Sequence, residues 1–408
     1  MRALRGLYLI VGVLIGVLQP FIPVILAVRG FSAPAIGLVM AGTALGYVVA
    51  LPTWGHLGDV VLGRRRALQI AALGSGAGAL LFGAPLSPVI VAAAVVAYYV
   101  VQSGAAMLTD AIAVNALAAT PDRYGRYRLL ESGSFAVATL AAGVLYDAVG
   151  YGAAYLLAIA AGILVAIVVI GAPDAPRARL ADYRAARDTV ATPPAVPTLG
   201  ARRWGEALGS IGVALAVAPR LPGVLAAVVL VHLGVLASFT FLPLRLVELG
   251  GAPSVIALSA TVSALFEIPA MLVAARLVRR IGLRGLFVVG CGLYAVAFIA
   301  WVFLNDPLLI VASRALTGLA YGSLTVTIVL TVGALLPDRL QASGQALYGM
   351  SALGVASVIG NLGGGIVFGA FGHGPVFAAG VVSALAAALV AWRFVPARGQ
   401  VRVGPRRA

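Results

Sequence analysis

Long apolar runs broken by short polar gaps recur along all 408 residues of the chain. A bilayer core of about 30 Å is crossed by about 20 helical residues, each rising about 1.5 Å. On that rule twelve crossing helices are predicted, near residues 6–28, 36–54, 67–84, 88–118, 128–148, 152–171, 222–248, 254–275, 285–304, 307–336, 341–370 and 375–395. The fourth, tenth and eleventh runs exceed one bilayer thickness and are expected to tilt or to project into the cytoplasm. The first run follows Arg2 and Arg5 as a secretory leader would. It is too long for one and lacks a small-residue cleavage site before polar sequence, so it reads as a crossing.

One polar gap is long. Residues 172–219 hold Pro173, Pro176, Pro193, Pro194, Pro197 and six arginines, and Arg220 follows directly. This segment reads as a cytoplasmic linker between an N-terminal six-helix bundle, 1–171, and a C-terminal one, 220–396. A basic cytoplasmic tail follows at 397–408. Residues 206–217 read either as a short helix on the membrane surface or as plain linker.

Composition excludes the common alternatives. The chain is 62% hydrophobic and 10% charged, whereas soluble domains carry about 25% charged residues. An ordinary soluble enzyme, a disordered chain and a coiled coil all need more charge. The net charge of +15 suggests nucleic acid only until the basic residues are located. All 28 are arginine, and 23 fall in the gaps that share a side with both termini. Only Arg29 and Arg245 fall toward the opposite side, and Arg128, Arg276 and Arg314 lie inside runs or at their edges. That asymmetry orients a multi-pass protein in the cell membrane with both termini cytoplasmic. No basic stripe lies beside aromatic residues, so no nucleic-acid partner is expected. Cys291 is the single cysteine and His56, His232 and His373 are scattered, which argues against a disulfide or a metal site. No Ser-His-Asp set, catalytic carboxylate pair or phosphate loop is visible, so neither an enzyme nor a cofactor is expected.

The two halves repeat. Gly55-His-Leu57-Gly-Asp59-Val-Val-Leu-Gly63-Arg64-Arg65-Arg66 joins the second and third runs, and Ala275-Arg-Leu277-Val-Arg279-Arg280-Ile-Gly282-Leu-Arg284 joins the eighth and ninth. Both read small-x-Leu-x-charged, then glycine and basic residues, at the same place in their six-run set. Paired repeats of this kind build transporter folds. Glycine permits a tight turn, Asp59 caps a helix or pairs with a base, and the arginines stay among headgroups. Gly55, Asp59, Gly63, Arg64, Arg65, Arg279, Arg280 and Gly282 are therefore candidate gating residues. With these features the chain resembles the major facilitator superfamily over nearly its whole length. The resemblance implies two pseudo-symmetric six-helix bundles around a central cavity. The first loop is similar to the family's G-x-L-a-D-r-x-G-r-r motif, with one extra residue between Asp59 and Gly63. The second keeps the motif's length but carries Arg279 in place of the aspartate.

Two further stretches narrow the resemblance. Leu108-Thr-Asp110, with Asp122-Arg-Tyr124-Gly125-Arg126-Tyr-Arg128, resembles the branch containing the lactose permease, nucleoside–proton symporters and phenylpropionate permeases. In the lactose permease an acid and an arginine at this 18-residue separation touch the substrate. Phe135 stands at that permease's stacking-tryptophan position, and Glu131 stands where the family has glycine. Leu265-Phe-Glu267-Ile-Pro269-Ala-Met resembles the branch's eighth helix, which often holds a buried glutamate. The resemblance implies a secondary transporter working by alternating access, expected as a monomer. Its solute is expected to be a sugar, nucleoside or aromatic acid moved in symport with protons. A proton-driven exporter of drugs or metabolites is the alternative; the arginine that drug antiporters carry on the fourth helix is absent there.

Charge inside a bilayer costs about 2.5–3.5 kcal/mol per group on insertion scales. Asp110, Arg128, Glu131, Glu267, Arg276 and Arg314 lie in predicted runs. Asp110 and Arg128 read as a charge pair lining a substrate cavity or as a structural pair. Glu267 lies near mid-membrane without a base at helical spacing before Arg276, which favours its neutral form and a proton-carrying role. Glu131 is the second proton-coupling candidate. Arg314 reads as a counter-charge to Glu267, a substrate contact or a structural pair. Gln102, Thr109 and Phe135 complete the candidate substrate-binding set. Tyr98, Tyr99, Asn115, Tyr294, Gln345 and Asn361 are either interhelical bonds or further contacts.

Overall fold

The computed structural model describes residues 2–117, 124–172, 212–337 and 340–397, and they are overwhelmingly helical. The helices are α1 Arg2–Val28, α2 Ala33–Val61, α3 Arg64–Gly83, α4 Pro88–Ala116, α5 Tyr124–Val149 and α6 Gly152–Gly171. α7 is Leu221–Glu248, and a helical run over Pro253–Phe303 follows it. Gly282, at φ 76°, breaks this 51-residue run into α8, 253–281, and α9, 283–303. α10 is Pro307–Leu335, α11 Ser343–Phe371 and α12 His373–Phe394. Helices thus stand at all twelve expected positions. Among the described residues ten helical runs are long and apolar enough to cross a membrane; α3 is long enough but carries three arginines at its start.

The interruptions have local causes. α1 tightens into a 3-10 turn at Gln19–Phe21, where Pro20 and then Pro23 withhold backbone donors. α2 ends in a π-helical turn, Leu57–Val61. A π-turn absorbs one extra residue into a helix, and this one falls on the stretch where the loop motif is one residue long. α11 contains a second π-helical segment, Met350–Ala356. α4 and α10, at 29 residues each, exceed one bilayer thickness as expected.

Two compact units are formed, one from Met1–Gly200 with Pro243–Thr261, the other from Ala201–Leu242 with Val262–Ala408. In the first, α1 packs on α5 and α6, α3 on α4 and α6, and α2 on α4. Leu4, Leu7, Tyr8, Val11, Leu68 and Leu108 belong to its buried core. In the second, Phe298 and Trp301 of α9 are fully buried, and Phe298 lies against Gly234 and Gly380. Leu38, Val89 and Leu156 in the first unit, and Val382, Leu389 and Trp392 in the second, are large, apolar and exposed. Lipid tails, not water, suit such a surface.

The repeat is physical. Among the described residues six glycines have positive φ, a region costly for other residues, and they fall into three pairs: Gly30 with Gly250, Gly63 with Gly282, Gly150 with Gly372. The members of each pair are 220, 219 and 222 positions apart. Arg65, two residues after Gly63, donates to the Ala172 carbonyl at the end of α6. Arg284, two residues after Gly282, donates to the Val395 carbonyl at the end of α12, 2.9 Å away. Phe21 meets Tyr146 at 5.0 Å in the first unit, and Phe241 meets Phe368 at 5.4 Å in the second.

Most of the linker expected at 172–219 lies outside the described residues, as does the tail beyond Ala397. Of the segment 206–217, residues 212–217 are described and helical.

Candidate functional site

Charged side chains gather on α4 and α5 of the first unit. Arg128 and Glu131, three positions apart on one face of α5, form an ion pair of 3.0 Å. The arginine side chain is 45% exposed, the glutamate 6%. α1 packs directly on the α5 backbone at Glu131. At Gly12 the two helices come so close that a side chain would strike the Glu131 carbonyl and the Ser134 hydroxyl. Glu131 Oε1 takes the arginine, while Oε2 is buried without a hydrogen-bond partner among the described residues.

Asp110, on α4, accepts a 2.7 Å hydrogen bond from the Tyr8 hydroxyl of α1. Tyr124, at the start of α5, is close enough to interact with both. Asp110 lies within electrostatic range of Arg128 and Glu131. Tyr47 of α2 is within range of all three charges. The expected pairing of Asp110 with Arg128 is thus distributed: a tyrosine holds the acid and Glu131 holds the base.

The remaining α4 and α5 candidates divide. Thr109 is buried and its hydroxyl returns to the Ala105 carbonyl of its own helix at 2.8 Å. Gln102 is buried, and Phe135 is half-buried with its backbone against Gly12 and Gly16 of α1.

The loop motif is built onto the same helix. Gly63 turns the chain at φ 82°. Arg64 Nε bonds Asp59 Oδ1 at 2.7 Å, and Arg64 Nη1 donates to the Ala111 carbonyl at 2.9 Å. One guanidinium therefore joins the π-turn to α4 beside Asp110. Gly55 packs against the Met107 methyl. Gly282 makes the corresponding turn in the second unit, and Arg279 and Arg280 are exposed there.

The second unit holds its own polar cluster. Glu267 of α8 is half-buried; Arg314 of α10 is buried beneath Trp301, whose ring centre lies 5.7 Å from the guanidinium carbon. Tyr294 of α9 is buried and lies within electrostatic range of Glu267, Arg314 and Tyr321. Asn361 accepts from Thr240 at 2.6 Å and donates to the Ser357 carbonyl at 2.8 Å, an interhelical bond in the sense expected of it. No group of three or more His, Cys, Asp or Glu suited to a metal occurs among the described residues.

Tyr8, Tyr47 and Trp301 were not singled out from sequence. Aromatic residues are ordinary on membrane helices, and none of the three carries a local signal of its role. Tyr124 was legible only as part of its motif.

The model of the MFS_1 like family matches residues 1–379. The fold is similar to that of the nucleoside transporter NupG, with a TM-score of 0.75 at 15% identity, covering 96% of this chain and 97% of that one. It is also similar to a peptide transporter POT in complex with sulfate, with 0.70 at 15% identity over 97% and 95%. A D-xylose-proton symporter gives 0.66 at 17% identity over 97% and 96%. No curated protein matches the sequence.

Proposed function

The chain belongs to the MFS_1 like family, and from that premise we propose a proton-coupled symporter of a small polar or weakly acidic solute: a sugar, a nucleoside or an aromatic acid. It is a multi-pass membrane protein and a secondary transporter, in a family and among structural neighbours that are transporters rather than enzymes. Alternating access moves the solute across the cytoplasmic membrane, the termini lie on the cytoplasmic side, and one chain is the working unit.

The carrying observation is the half-exposed Arg128 paired with the buried Glu131 beside Asp110. A planar guanidinium and a tyrosine-held carboxylate offer directed donors and acceptors to a polar solute. Two acids facing one base leave a surplus negative charge that a proton neutralises. Asp110, Arg128, Gln102, Thr109, Phe135 and Arg314 are the proposed solute contacts. Glu131 and Glu267 are the proposed proton-coupling acids, burial beside a single counter-charge giving Glu131 the stronger case.

The test is uptake into proteoliposomes with an imposed pH gradient, acid outside, using labelled xylose, uridine and benzoate. Accumulation of one of them above equilibrium, abolished by a protonophore, is expected. Equal equilibration of all three with and without the gradient removes the proposal.

A further inference from the structure

The Arg128–Glu131 pair has an asymmetry that bears on what the site accepts. Its cation is the exposed partner and its anion the buried one, 45% against 6%. An entering solute therefore meets a guanidinium, a group whose flat fork matches a carboxylate. Asp110, the other acid at hand, already accepts from Tyr8.

The same contact has a consequence for Glu131. Its Oε2 has no donor among the described residues, and α1 covers its helix at Gly12. The charged and titratable groups within reach are Arg128 on its own helix, Asp110 of α4 and Tyr47 of α2, with Tyr8 of α1 and Tyr124 of α5 bonded into the Asp110 side. Among the described residues only Arg128 is positive there. When a second anion draws that guanidinium away, a buried carboxylate is left without a counter-charge and beside Asp110. Such a group does not remain ionised.

We propose that Arg128 is a shared cation, passing from Glu131 to the carboxylate of an anionic solute, and that Glu131 takes a proton from water as it gives the arginine up. The solute class is a small organic carboxylate. Proton and anion bind together without net charge. Release reverses both steps: the solute leaves, the proton returns to the water on the release side, and the ion pair re-forms. This rests on the symport reading above and adds to it the solute's charge and the reason for coupling. It also gives a role to the position where the resembled family has glycine.

The experiment uses the purified full chain in weakly buffered detergent solution, with benzoate as probe, benzamide as its neutral counterpart and inorganic phosphate as a second anion. Calorimetry and a pH-indicator dye report affinity and proton uptake. The parent protein should take up about one proton per benzoate, with affinity falling about tenfold per pH unit on the alkaline side. Benzamide should bind at least tenfold more weakly, and phosphate more weakly than benzoate. Glu131→Gln should bind benzoate with no proton uptake and no pH dependence. Arg128→Gln, with its melting temperature confirming the fold, should lose benzoate binding.

Benzamide binding as well as benzoate overturns the proposal, as does proton uptake that persists in Glu131→Gln. Failure of both anions to bind overturns it as well, and phosphate outcompeting benzoate overturns the carboxylate assignment. Gradient-driven accumulation of xylose or uridine alone removes this inference and leaves the symport reading standing. Proton-linked benzoate binding without any gradient-driven uptake removes the symport reading instead.

Discussion

Asp147, near the end of α5, caps a helix to which it does not belong: its Oδ1 accepts the backbone N–H of Ser254, 2.9 Å away at the start of α8. The chain leading into α8 reads Gly250-Gly251-Ala252 before Pro253 and offers no side-chain cap of its own. Two further rungs continue the contact within the first unit. Gly143 lies against Ala257, and the Thr261 hydroxyl bonds the Ala136 carbonyl at 3.0 Å. Losing the borrowed cap with Asp147→Ala should cost about 1 kcal/mol, read as a lower melting temperature. Asp147→Asn should keep most of it. Equal melting of the Ala variant and the parent would show that the cap contributes nothing.

Gly143 permits that contact. A Cβ there would collide with Ala257 and approach the Pro253 carbonyl to 2.9 Å. Gly143→Leu should therefore hold α5 and the start of α8 apart. In a Cys291→Ser background, the pair Asp147→Cys with Ser254→Cys should cross-link readily and should stop doing so once Gly143→Leu is added. Unchanged cross-linking would mean the helices accommodate the side chain elsewhere.

Arg64 makes two bonds from one guanidinium, to Asp59 and to the Ala111 carbonyl. A lysine ammonium has no fork with which to reproduce both. Arg64→Lys should lower stability by about 1–2 kcal/mol and slow solute exchange, both measurable on one reconstituted preparation. Parent-like values for both would deny Arg64 its bridging role.

Tyr8→Phe removes the hydroxyl that fixes Asp110 and changes little else. The loss of one hydrogen bond to a charged group, about 1.5 kcal/mol, should weaken solute binding about tenfold by calorimetry. Asp110→Asn should abolish it. A Tyr8→Phe variant that binds as the parent does would separate Asp110 from the solute site.

Exchange and accumulation separate the two proton-coupling acids. Glu131→Gln should still equilibrate labelled solute across a vesicle membrane but should not concentrate it under a pH gradient. Glu267→Gln should retain a substantial part of the accumulation. The reverse result would transfer the proton role to Glu267.

The frame was legible because it follows from bilayer thickness and backbone chemistry. Apolar run lengths located the twelve long helices of the described residues, and glycines in the two loop motifs marked two of the positive-φ turns. The extra residue after Asp59 announced an irregularity, and the π-turn is its physical form. The sequence reading pairs Arg128 with Asp110, whereas its ion pair is with Glu131. Asp110 at 18 positions and Glu131 at three are both admissible, and the choice depends on Tyr8 reaching Asp110 from another helix. Likewise, the absence of a base near Glu267 in its own helix said nothing of Tyr294 and Arg314, which arrive from α9 and α10. Spacing reports neighbours along one helix, and these sites are made by neighbours between helices.

The three glycine pairs carry a consequence for how the protein diversified. Carried across at offsets within the range of those pairs, Asp110 corresponds to about Thr331, Glu131 to about Leu353 and Glu267 to about Tyr47. The joints repeat, Arg65 and Arg284 with them, and these three acids do not. Mutations in one copy could therefore acquire and lose charge while the other went on supplying a sound half of the frame. A duplicated scaffold with unduplicated chemistry divides the labour between its halves, and it leaves each free to be retuned to a new solute without rebuilding the turns.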